Sequence, residues 1–221
     1  MSVAIVEAAS DTMGEMLIAL AAAEGSASHP YTHSFELNAD PLATRNLADV
    51  LHLLSILHGP QPGLPELAAI RNVAPQADRW FRQAVDGFAA ERSYLAQMIA
   101  IAGPSPSTPG EAETSAAVLG QRHALMTIAA SDRFGCALGA VAALLFDWQS
   151  IRAVLDTAAA RIGVDAPRSQ LPDDEDTADM LNSLPPTPRL DRALVFGGRQ
   201  LLVQHRGLWD LLEARSRARM S

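Results

Sequence analysis

The chain has 221 residues, with 17 basic against 25 acidic side chains and a formal charge of −8, which excludes the non-specific mode of nucleic-acid binding that needs a basic surface to displace counterions. Hydrophobic residues make up 48% but aromatics only 5%, so a core has to be built from Ala, Leu, Val, Ile and Met, the composition of packed helices rather than of a β-sandwich. The single cysteine, Cys136, excludes an intramolecular disulfide and any multi-cysteine zinc site.

The N-terminal stretch MSVAIVEAASDTMGEM lacks a basic lead and places Glu7 and Asp11 where a secretory signal would be apolar. The apolar run CALGAVAALLF is far shorter than the ~20 residues that span a bilayer. A cytoplasmic protein without membrane or nucleic-acid contact is therefore expected. The first helix is predicted from about Ser2 to Glu24, ended by Gly25, with GSASHPYTHSFELNA following as a loop. Asp40 as N-cap and Pro41 in the first turn open a second helix that runs to Gly59. After GPQPG a short helix covers Leu64 to Asn72, and Pro75 opens a long one that carries through Ala102 before GPSPSTPG.

From Glu111 a helical pattern continues without proline to Ile162. As one straight helix it would span roughly 75 Å at 1.5 Å per residue, too long for a compact domain of this size. A break is expected near Ser131 and Asp132 or near Asp147. The stretch VDAPRSQLPDDEDTADMLNSLPPTP is acidic and proline-rich and reads as a mobile or surface-running linker. A last helix, about Arg189 to Arg215, carries the stripe Leu190, Leu194, Leu201, His205, Leu208 and Leu212, which needs a partner surface. The expected organisation is a helical bundle over 1–163, a linker over 164–188, and a C-terminal helix in 189–221 docked on the bundle or on a second copy of the chain.

Asp49 and His52, three residues apart in LADVLHLLSILHG, have a carboxylate–imidazole spacing related to half of a di-iron ligand set. Helical phase places them opposite Leu47, Val50, Leu51, Leu54 and Leu57, beside Arg45, which predicts a solvated face with an Arg45–Asp49 pair. His58 falls on the apolar side in the last turn, where the helix dipole favours an imidazolium bonded to local carbonyls. Asp49, His52 and His58 are the metal candidates, each with a structural reading that outweighs it. His29 and His33 in HPYTH read as an exposed loop, and the tail arginines Arg215, Arg217 and Arg219 as solvated.

The stronger signal is charge on apolar faces. Glu91 lies within the core arc of the helix after Pro75, with Arg92 at its margin, and a buried carboxylate requires a cation or a proton. Arg122 and Asp132 project from a small apolar face, with Arg133 at its border and His123 on a secondary, packed face. Gly135 and Gly139 on that stretch would let another helix approach closely. A structural ionic network of Glu91, Arg122 and Asp132 with Arg92 or Arg133 is expected; the rival reading makes Glu91, Arg122, His123 and Asp132 the lining of a ligand pocket. Cys136, among small apolar neighbours, reads as a buried filler.

The segments PSTPGEAETSAAV, QRHAL, SDRFGCALGA and QHRGLWDLLEAR resemble a group of hypothetical proteins of sphingomonad-type alphaproteobacteria, a resemblance that covers most of the chain and implies no activity. More coarsely, long paired helices with inward charges are similar to ferritin-like bundles. Such proteins supply two E-x-x-H motifs and two further glutamates, which this chain lacks, so the similarity implies the fold without the metal. The expectation is an all-α helical bundle, with no cofactor and no catalytic constellation. It would act through protein interaction or as a homo-oligomer joined by apolar helix faces, or else as a ferritin-like enzyme or a binder of a small molecule or metal in a polar cavity between the long helices.

Overall fold

A computed structural model describes residues 12–220, in which nine α-helices and no strand occur. The helices are α1 (Met13–Glu24), α2 (Phe35–Asn38), α3 (Ala43–His58), α4 (Leu64–Ile70), α5 (Asp78–Ala102), α6 (Glu111–Ala129), α7 (Cys136–Ile162), α8 (Asp174–Asn182) and α9 (Pro188–Met220). Local chemistry sets many of the ends. Thr12 and Glu15 close a capping box on α1, and Asp173 caps α8 by accepting from the Asp176 amide. The predicted first helix is seen from Met13, where Thr12, in extended conformation, caps it; the predicted residues before Thr12 lie outside those described. Asp40 accepts from the Leu42 amide as expected of a helix opener, but the chain makes one more turn before α3 begins at Ala43.

The long 111–162 pattern breaks at 130–135, as the Ser131–Asp132 expectation has it. Gly135 has φ +94°, a left-handed conformation that a side chain disfavours, and it redirects the chain into α7. Gly139 then allows α9 to come within backbone contact: a methyl group added there would overlap the Leu194 carbonyl oxygen, and one at Gly197 the Cys136 carbonyl oxygen. Contacts between α7 and α9 advance together, from Gly139 at Leu194 to Asp147 at His205. The two helices therefore run parallel, and residues 163–187 carry the chain back along the bundle.

That return segment is not a plain linker. It contains α8, whose Thr177, Met180 and Leu181 are buried, and α8 packs on α1. The predicted C-terminal helix is longer than expected, 33 residues, and its apolar stripe is buried within the same chain, chiefly on α7. At the centre lies α7, buried from Leu138 to Trp148 without interruption. By length and apolar content it passes as a membrane-spanning helix, unlike the short run judged from the sequence, but 83% of its apolar window is buried inside the bundle.

Candidate functional site

Glu91 sits where helical phase placed it, 2% exposed, but its partners differ from those expected. Arg152 NH1 donates to both carboxylate oxygens at 2.7 and 2.9 Å, and Trp148 Nε1 donates to Oε2 at 3.1 Å. Arg152 is used on every side: Nε donates to Asp156 at 2.7 Å, NH2 to the Pro167 carbonyl, and the guanidinium lies over the Tyr94 ring. Burial works against the Arg152 charge, but Asp156 and Glu91 together raise its pKa. Tyr94 donates to Asp156 at 3.0 Å, and burial followed by that carboxylate pushes the phenol up to about 12.

Arg122, His123 and Asp132 are not drawn into this network. Asp132 is fully exposed in the α6–α7 turn and pairs with Arg71 at 3.2 Å; Arg122 is half-buried and His123 exposed. Arg92 is buried, but on Glu66 and above the Phe88 ring. The break at 130–135 takes Asp132 and everything after it out of the helical phase of α6.

Arg152, held from behind by Glu91, lines a groove of about 770 Å³ between α5, α7 and residues 168–173, within the size range of small-molecule sites. Trp148, Arg152 and Leu145 line its α7 side, Gln83 its α5 side, and Arg168, Leu171 and Asp173 the return segment. Gly87 lies beneath the backbone of Gln170 and Leu171, so the segment rests directly on α5. Three aspartates, Asp156, Asp173 and Asp176, line the groove against Arg168 and an Arg152 already neutralised from behind by Glu91. The lining is net acidic.

A second polar assembly is closed to solvent. Asp147 accepts from the Ser26 amide, the Ser26 hydroxyl and His205 Nδ1, each at 2.6 Å, and Trp209 Nε1 donates to the same hydroxyl at 2.8 Å. His205 Nε2 is 2.9 Å from His58 Nε2, and one proton between them satisfies both rings. Phe88 and Trp148 meet His58 edge-on. Burial, then His205 and Arg92, holds His58 well below the usual histidine pKa, so it is neutral rather than the imidazolium that the helix dipole alone suggests. With three hydrogen bonds on the carboxylate, this chain joins α3, α7, α9 and the 26–28 turn.

The model of a family of unknown function, DUF6975, matches residues 21–220, almost the whole chain. The protein belongs to this family. No curated protein and no solved structure matches it. Within this DUF6975 chain the sequence-picked metal candidates are otherwise engaged. Asp49 is not on a solvated face: it is 1% exposed, with Arg215 Nε and NH2 each 3.0 Å from its two oxygens and Arg219 bonded to Oδ2. The tail arginines Arg215 and Arg219 are thus buried with it, and of the three only Arg217 is exposed, on Glu213. His52 Nε2 contacts the Gly103 carbonyl at 3.0 Å. The loop histidines separate: His33 is exposed, while His29 is buried and, with Asp210 and Glu213, places three possible ligand atoms close together. His29 Nδ1 accepts from the Tyr31 amide, which leaves the ring proton on Nε2, pointing at Asp210 where a metal would sit. Cys136 is a buried filler as read, its thiol pushed up by burial.

The residues missed from the sequence in this DUF6975 member are Asp147, Arg152 and Ser26. Asp147 and Arg152 lie on a helix buried nearly all round, where no polar face marks them out. Of the three charges inside the apolar 136–159 stretch, Asp147, Arg152 and Asp156, only Asp147 stands out in the sequence, as a possible helix break.

Proposed function

We propose that the protein binds a small polar solute in the groove between α5, α7 and residues 168–173, without transforming it. The observation that carries this reading is the net-acidic groove itself: Arg152 is fixed by four partners, Asp156 among them, Trp148 is fixed by Glu91, and Asp173, Asp176 and Arg168 complete the charged lining. That balance suits a cationic or zwitterionic ligand, with Trp148 and Leu145 supplying apolar surface. A cytoplasmic location fits such a role. Any descent from ferritin-like bundles would have kept the paired helices and replaced metal by ion pairs.

Thermal-shift measurements on the purified protein against amines, guanidines and amino acids test it. A ligand that raises Tm should lose that effect in Asp176→Ala, while Arg168→Ala should weaken it for a zwitterion and strengthen it for an amine or guanidine; both positions are exposed. A shift that survives Asp176→Ala, or no shift from any compound of these classes, would count against the groove.

One observation favours interaction with a protein as a second reading. Val73 and Phe134 are exposed around a smaller cavity, of about 250 Å³, bordered by Arg71, Asp132 and Arg133. Self-association through this face is measured by sedimentation of the wild type against Phe134→Ser, and an unchanged monomer in both would remove it.

A further inference from the structure

Asp49 is one carboxylate shared by two guanidinium groups. Arg215 lies along it with two parallel bonds and also donates to the Pro106 carbonyl at 3.2 Å, while Arg219 takes Oδ2 from the other side. The Asp49, Arg215 and Arg219 side chains are 1, 3 and 7% exposed. Arginine keeps its charge in proteins, so the three groups leave one formal positive charge under cover. A buried charge without a counter-charge is costly.

The hydrogen bonds give the same account independently. Arg215 NH1, Arg219 Nε and Arg219 NH1 have no acceptor, and the Tyr31 hydroxyl, beside Ser216 and Arg219, makes no hydrogen bond of good geometry. Asn46, one turn before Asp49 on α3, uses its amide nitrogen on the Glu36 carbonyl and leaves its oxygen unpaired. Among the described residues seven buried side-chain nitrogen and oxygen atoms lack a partner; five are in this one place, and four of those five can donate. The next charges outward, Arg45, Glu36, Glu111 and Glu213, are half-buried or exposed and screened by solvent.

We propose that Arg215, Arg219 and Tyr31 form a binding site for a small oxyanion, phosphate or carboxylate, held against α3 at the end of α9. Its oxygens would take the free N–H groups and the phenol O–H, and its charge would balance the second guanidinium. Ordered water would supply acceptors but no charge, which gives the site a distinguishable signature.

Calorimetric titration of the full chain at low ionic strength tests this, with inorganic phosphate in one arm, acetate in the second, and chloride at matched ionic strength as control. Saturable binding of either oxyanion above the chloride response is expected, and the arm that binds identifies the acceptor chemistry. Arg219→Gln should weaken it by roughly tenfold or more, the loss of a charge-assisted hydrogen bond. Asp49→Asn raises the formal charge from one to two, and phosphate or acetate should then bind more tightly. Should either substitution cost the fold, Tyr31→Phe removes only the hydroxyl and should still weaken binding severalfold. Heat no greater than that of chloride in both arms overturns the proposal, as does an affinity unchanged in Arg219→Gln and Tyr31→Phe or lowered in a folded Asp49→Asn.

Discussion

The two halves of α7 pack in opposite ways. Its first half, around Gly139, meets α9 backbone to backbone, with Gly197 answering from the other side and no side chain between them. Its second half carries Asp147, Arg152 and Asp156, faces α5 across the Glu91 pair, and borders a groove of about 770 Å³. Close backbone approach excludes a ligand because it leaves no volume. Ion pairs need long side chains, which hold helices apart and leave polar walls. The same helix thus provides the tightest contact in the molecule and one wall of its candidate site.

Breaking the ionic half should have the largest effect. Glu91→Gln removes the buried charge partner of Arg152 and leaves it only the half-exposed Asp156, which should cost about 3 kcal/mol in denaturant unfolding, while Glu91→Gln with Arg152→Met should recover part of that loss. A cost no larger than that of an exposed substitution would show that the pair does not hold the second half of α7. On the glycine half, Gly139→Ala places a methyl against the Leu194 carbonyl and should cost about 3 kcal/mol, the upper range for overpacking, since only a shift of α7 from α9 can relieve it. A wild-type melting temperature in this variant would refute the close approach.

Between the halves, the His58–His205–Asp147 chain makes stability depend on pH. The folded-state pKa of His58 is depressed, so below the ordinary value near 6.5 the unfolded chain takes up a proton that the folded chain does not. Stability is therefore fully present above that value and falls as pH drops through it. Melting curves of wild type and His58→Gln at successive pH values should show a smaller decline in the variant. The smallest effect is expected at Arg71–Asp132: Asp132→Ala should leave Tm unchanged, because Asp132 is fully exposed and its pair with the half-exposed Arg71 is screened by solvent.

Much of the architecture was legible in local sequence. The excessive length of the 111–162 pattern with Ser131 and Asp132 marked the break near 130–135, Gly103 and Pro104 marked the end of α5, and the leucine stripe of α9 identified its buried face, His205 included. Glu91 was recognised as buried because its neighbours on the helical wheel are Phe88, Leu95 and Trp80. Its partner was missed because Arg152 sits on a helix without a polar face. Asp49 was misread for the converse reason: its face is polar, yet that face is covered by the C-terminal turns of α9, 166 residues away.

By itself the sequence determined the all-α class, the positions of most helix ends and which residues of each helix share a side, because these follow from backbone geometry and side-chain volume within a few turns. Only the tertiary structure decided which helix covers which side. It paired Asp49 with Arg215, His58 with His205 and Glu91 with Arg152, since a charge accepts any opposite charge that folding brings within reach. The helical wheel specifies a direction, whereas a partner also requires the path of the chain between them.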